Sequence, residues 1–165
     1  MNAVEASCGY IERVLGKSPA FKKVEDQLYV VKQGSSYVMI SVVQTGGKKE
    51  RDDRAIVRVT AQVVAGVRPE ASLFRQLLIL NSKLRFGAFA YVPDGSLILF
   101  AHAILGGEHM DPREIVATVH DVAIVADEYD DRIVARYGGQ RMQDVVEQSA
   151  MSRLFGGDHS SEEDI

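Results

Sequence analysis

The sequence predicts an α+β domain, an antiparallel sheet with packed helices, in the order α-β-β-β-α-β-β-α plus a C-terminal helical extension. Three observations carry this. Residues 55–65 alternate, with Val57, Val59, Ala61 and Val63 on one side and Arg58, Thr60 and Gln62 on the other, as in a strand with one buried face. Val92-Pro93-Asp94-Gly95 is a tight-turn sequence between two apolar runs. Asp111-Pro112-Arg113-Glu114 places an acceptor, a first-turn proline and a glutamate in capping-box order ahead of a long apolar stripe.

Each element follows from its own pattern. Val4, Cys8, Ile11 and Leu15 recur three or four residues apart and predict a first helix over 3–15, stopped by Gly16 and Pro19. Strands are predicted over 27–32 and 36–43, joined by Gln33-Gly34-Ser35, and over 55–65. The mixed-charge loop 46–54 reads as a solvated hairpin tip. Residues 70–83, entered through Pro69, form a second helix with Leu73, Phe74, Leu77, Leu78 and Leu84 as its stripe. The Val92-to-Gly95 turn is expected to pair Val92 with Ser96. One face then holds Phe89, Tyr91, Leu97 and Leu99; the other holds Phe86, Ala88, Ala90, Ile98, Phe100 and His102. The third helix carries Ile115, Val119, Val122, Ala126, Tyr129, Ile133 and Tyr137, and stops at Gly138-Gly139. Residues 1–139 are therefore one domain, 140–155 a C-terminal helical extension, and 156–165 a disordered, dispensable acidic tail.

Composition bounds the function. The chain has 165 residues and a net charge of −4, too acidic for a duplex-binding module, so no nucleic acid is expected. No apolar run suits a membrane span, and the N-terminus lacks a secretory pattern. The single cysteine, Cys8, permits no internal disulfide, and a cytoplasmic location is expected.

Catalytic patterns are weak throughout. His102, His109, His120 and His159 show no paired ligand spacing, so no metal site is expected. There is no nucleophile elbow, and Cys8 lies on an apolar stripe. Gly46-Gly47-Lys48 lacks the rest of a phosphate loop. Asp127, Glu128, Asp130 and Asp131 read as a solvated helix face, with Glu128 spaced to pair with Arg132. No catalytic or cofactor-binding residue is predicted. The strand 97–105 is apolar on both faces except at His102, which implies cover on both sides. That second cover is a twin subunit, a client peptide or the C-terminal helix.

Several segments occur together in order: Leu77-Leu78-Ile79-Leu80-Asn81, Phe86-Gly87-Ala88-Phe89, Leu97-Ile98-Leu99, residues 122–131 with Ala126-Asp127-Glu128-Tyr129-Asp130-Asp131, and Tyr137-Gly138-Gly139. Over residues 70–140 this pattern resembles the YbjN family and its relatives with the type III secretion chaperone-like fold. The resemblance implies the same element order. It also implies a small, acidic, cytosolic, dimeric protein that holds an extended segment of a client and has no enzymatic activity. YbjN-like proteins are described as regulators of sensory transduction, and the family supplies no catalytic residue to carry over.

The function expected is thus non-enzymatic protein or peptide binding, chaperone-like or regulatory, by a homodimer with a client or regulatory partner. The alternative is a small-ligand sensor or enzyme with a pocket between the sheet and the third helix, which a closed polar pocket at His102 or His120 would favour. The face with Phe89, Tyr91, Leu97 and Leu99 is expected inside. Phe86, Ile98 and Phe100, with His102 at the polar margin, are then the predicted partner-binding residues.

Overall fold

A first helix, α1 (Ala3–Leu15), precedes four strands: β1 (Phe21–Glu25), β2 (Leu28–Gln33), β3 (Ser36–Thr45) and β4 (Arg54–Ala65). Then follow α2 (Ala71–Lys83), β5 (Ala88–Val92), β6 (Leu97–Leu105), α3 (Pro112–Tyr137), β7 (Gln140–Arg141) and α4 (Met142–Val146). The structure is a computed structural model and describes residues 1–45 and 53–146. Its strands pair antiparallel in the order β1-β2-β3-β4-β6-β5, with β7 added to the end of β4. The α+β class and the antiparallel sheet are as the sequence predicts.

The helices begin and end for local reasons. The Asn2 side chain accepts from Glu5 N–H at 2.8 Å and the Glu5 carboxylate accepts from Asn2 N–H at 3.1 Å, a reciprocal cap on α1. The Asp53 carboxylate, at the entrance to β4, accepts from Ala3 N–H at 2.8 and 3.0 Å. Asp111 caps α3 through Arg113 N–H at 2.8 Å, one residue short of the predicted Glu114. At the other end, a Cβ on Gly139 would stand 2.9 Å from Val64 Cγ1, so glycine permits β7 to lie against β4. In α2, Leu73 and Leu77 are buried, but Leu78 is 68% exposed, because it lies one residue off the Leu73–Leu77–Leu80–Leu84 stripe.

The registers sort the sheet into two faces. Val38, Ile40 and Val42 of β3 pair with Ala61, Val59 and Val57 of β4, which pair in turn with Phe100, His102 and Ile104 of β6. This inner face packs with Ile11, Leu73, Ile115, Val119, Val122 and Ile133 of the helices into one core. Val43, Ile56 and Leu105 form one row on the opposite, outer face, and no outer-face side chain belongs to that core.

Two predictions need correction. First, four strands, not three, precede α2. The missed strand, β1, is a five-residue edge with Lys22, Lys23 and Glu25. Charges on an exposed edge remove the apolar alternation by which strands are recognised. Second, the β6 half of the hairpin is reversed, while Phe89 and Tyr91 of β5 face inward as predicted. Val92 pairs with Leu97, not Ser96, so Phe89 opposes Phe100 and Tyr91 opposes Ile98. Ile98 and Phe100 are 0% exposed and point inward. The turn closes from Ser96 N–H to Pro93 C=O at 3.0 Å, one residue later than predicted. Ser96 Oγ donates to Val67 C=O at 2.6 Å, and Val67 N–H donates to Ser96 C=O at 3.2 Å. These long-range bonds hold the register, and a one-residue slip moves every side chain to the other face.

Of the predicted extension over 140–155, the structure describes β7 and α4. Residues 147–155, the tail 156–165 and loop residues 46–52 lie outside the described residues.

Candidate functional site

The partner-binding residues predicted from sequence are brought together, but inside this chain. The Phe86 ring meets Phe100 edge-on at 5.7 Å and His102 at 5.5 Å. Phe100 continues to Phe89 at 5.0 Å, and Phe89 to Tyr129 of α3 at 5.3 Å. His102 Nδ1 accepts from Gly87 N–H at 3.0 Å, which leaves the proton of a neutral ring on Nε2. A side chain at Gly87 would place Cβ 2.6 Å from the Phe100 ring, so this close approach requires glycine. Ile98 lies on the same inner face, next to Tyr91 across the strand pair. Phe86 and His102 are half-buried at the margin of this aromatic cluster.

A larger concave surface lies elsewhere. A groove of about 690 Å³ runs between the first half of α3, the end of α1 and the β1–β2 edge. Leu15, Phe21, Val31, Val116 and Val119 line it, and Arg113, His120 and Asp121 also face it. Its two walls are built locally. Gly16 N–H donates to Glu12 C=O and ends α1; Phe21 N–H then donates to Ser18 C=O at 3.1 Å and turns the chain into β1. Phe21 stacks on Tyr29 at 5.3 Å. The Tyr29 hydroxyl donates to Glu12 Oε1 at 2.9 Å, and Lys23 Nζ lies 3.3 Å from the same oxygen. Burial, then the bonds to Cys8 and Glu12, push the Tyr29 phenol well above its ordinary range. Its proton therefore stays in place and holds β2 to α1. The opposite wall is the Val116–Val119 side of α3, and Val116 is 49% exposed there.

The two sheet edges differ. On β5, Asn81 of α2 accepts from Phe89 N–H at 2.7 Å and donates to Phe89 C=O at 3.1 Å, so a side chain occupies the place of a neighbouring strand. On β1, Lys32 N–H donates to Ala20 C=O, and antiparallel alternation then turns the backbone of residues 21 and 23 away from β2. Phe21 C=O and the Lys23 backbone thus face outward beside the groove.

The sensor alternative requires a closed polar pocket at His102 or His120. His120 is exposed at the open groove, with Asp121 Oδ1 at 3.4 Å from its Nδ1. Among the described residues, no three His, Cys, Asp or Glu side chains converge to hold a metal. The acidic cluster of α3 is engaged in structure. Asp127 accepts from Ser35 Oγ at 2.8 Å and Ser36 Oγ at 2.7 Å, Asp131 pairs with Arg141 at 3.2 Å, and Glu128 pairs with Arg132 at 3.7 Å. Sequence reasoning misses Phe21 and Val31 of the groove because β1 lacks a strand-like pattern. A phenylalanine and a valine at residues 21 and 24, between Pro19 and the Asp26-Gln27 turn, are the available signal.

The α+β fold with its antiparallel sheet agrees with the comparisons to known proteins. The model of the family described as T3SS (YopN, CesT) and YbjN peptide-binding chaperone 1 matches residues 5–145, and the chain belongs to this family. It is a family of peptide-binding chaperones, a non-enzymatic binding role. A chain in the crystal structure of the ExsC–ExsE complex is similar, with a TM-score of 0.55 and 15% identity, covering 79% of this chain and 92% of that one. At that identity the likeness is one of fold. No curated protein matches the chain. Among the described residues, no helix is long and apolar enough to cross a membrane.

Proposed function

We propose that this protein holds an extended, apolar segment of a client protein in the groove between β1 and the first half of α3. The groove itself carries the reading: about 690 Å³, open, lined by Phe21, Val31 and Val119, beside a strand edge with outward backbone groups. An extended peptide there buries alternate apolar side chains and pairs its backbone along residues 21–23. The bulge between Lys23 and Glu25 limits that pairing to the start of the strand edge. The β5 edge is a poorer site, since Asn81 already takes the bonds of Phe89. Pairing by homodimerisation and a cytoplasmic location belong to the proposal and are supported by the family likeness and the lone Cys8.

The test is selection of peptides from a random phage-displayed library on the full chain, with binding compared in Val116→Asp. Val116 is half exposed, so the variant keeps its fold while a charge enters the groove. Selected peptides rich in alternating apolar residues should bind the wild type and lose at least tenfold in affinity for the variant, since about 1.4 kcal/mol suffices for that factor. Equal binding to both proteins would place the site elsewhere. Light scattering at micromolar concentration tests the dimer, and a single species of monomer mass would refute it.

A further inference from the structure

Among the described residues, no outer-face side chain joins the core that the helices form, although Val30, opposite Met39 on that face, is buried. Val43, Ile56 and Leu105 form a row across β3, β4 and β6, with Val43 48% and Leu105 73% exposed. The next rows are Ser41, Arg58 and Ala103, then Met39, Thr60, Ala101 and Ala88. Arg58 is exposed in the middle, and Lys32 shares this face, its ammonium 5.8 Å from the Tyr37 ring. Strands β2 to β6 contain no Asp or Glu, so the face combines an apolar row and small polar side chains with a positive charge.

The chain itself arrives at this face. After α3, Arg141 pairs with Val64 at the end of β4, and Met142 and Gln143 share a small cleft at the rim of the sheet with Tyr37 and Gln62 of the outer face and Asp127 and Asp130 of α3. The described residues end at Val146, and residues 147–165 follow. They contain Met151, Leu154 and Phe155 at one-face helical spacing, then Asp158, Glu162, Glu163 and Asp164. This is an apolar anchor followed by negative charge, the complement of the face. Reach is sufficient. Residues 147–155 span about 14 Å as a helix and up to about 30 Å extended, and the rows of Tyr37 and Val43 lie about 20 Å apart.

We propose that the outer sheet face is the docking surface of the chain's own residues 147–155, anchored by Met151, Leu154 and Phe155. The acidic residues after Phe155 add an attraction to Arg58 and Lys32 that salt screens. The exposed apolar rows are thereby covered intramolecularly, and the groove between β1 and α3 stays open. This inference is independent of what that groove binds.

The test uses the full chain with a nitroxide at Ser152→Cys in a Cys8→Ser background. Signals of Met39, Thr60 and Ala101 should be lost by paramagnetic broadening in dilute protein. They should be retained when spin-labelled, isotopically silent protein is mixed with unlabelled, isotopically enriched protein. Leu154→Asp with Phe155→Asp should restore the lost signals, and Arg58→Glu should restore them in part. The inference is overturned if those three signals persist in the labelled chain. It is also overturned if they are lost in the mixed sample, which would make the occupant a second copy.

Discussion

Asn81 pairs with Phe89 as a strand would. Its side-chain oxygen accepts from Phe89 N–H at 2.7 Å and its amide donates to Phe89 C=O at 3.1 Å. One side chain at the end of α2 thereby occupies the Phe89 position of the β5 edge, which would otherwise offer both groups to another chain. The helix is placed for this by Leu73 and Leu77, buried in the core, and by Phe74 against Tyr91 at 4.9 Å.

Asn81→Ala removes both bonds at once and leaves two backbone groups of a half-buried edge without partners. The expected loss is about 1–3 kcal/mol in urea unfolding, with faster amide exchange at Phe89. Unchanged exchange at Phe89 would show that water or another group replaces the side chain without cost.

The hairpin register makes a sharper prediction. Phe100 is 0% exposed, so Phe100→Asp buries a charge without a partner, at a cost of several kcal/mol. Circular dichroism should show an unfolded protein. Leu99→Asp, one residue along and on the outer face, should keep the native spectrum. A folded Phe100→Asp protein would mean that Phe100 faces outward and that the β5–β6 register is shifted by one residue.

Tyr10 offers a gain. Its hydroxyl is buried and has no hydrogen-bond partner among the described residues, while Arg13 stacks over the ring at 5.0 Å. Tyr10→Phe removes an unsatisfied group and keeps the packing. Stability should rise by about 1 kcal/mol, seen as a higher Tm. A fall would reveal a partner that the hydroxyl finds in solution.

Alkaline pH acts through Tyr29 and Tyr10. Burial is the main cause that raises both phenols above their ordinary value of 10.0. The folded chain then holds these protons more tightly than the unfolded chain. The resulting stability is complete below pH 10.0 and is lost as pH rises above it. Urea midpoints should fall on the alkaline side of that value and stay level just below it. Tyr29→Phe should make the alkaline fall shallower, with Tyr10 retaining its share. An identical alkaline slope in the variant would remove Tyr29 from the explanation.

Much of the architecture is legible in local pattern. The alternation of Val57, Val59 and Ala61, the Asp111-Pro112 start and the Gly138-Gly139 stop each reflect a backbone requirement satisfied nearby in the chain. What local pattern does not contain is the hairpin register, because Ser96 is held by Val67, 29 residues away. Period-two alternation puts Ile98, Phe100 and His102 on one face correctly, but it cannot say which way that face turns. The groove is half visible. Val119 belongs to the apolar stripe of α3, but its facing wall depends on β1, a short edge strand whose lysines conceal the pattern.

The most direct measurement is methyl NMR of the full chain titrated with a selected apolar peptide. The groove account expects the largest shifts at Leu15, Val31, Val116 and Val119, with the outer-face methyls of Met39, Ile56 and Leu105 unmoved. Shifts confined to the outer face, with those four groove residues unchanged, would contradict it.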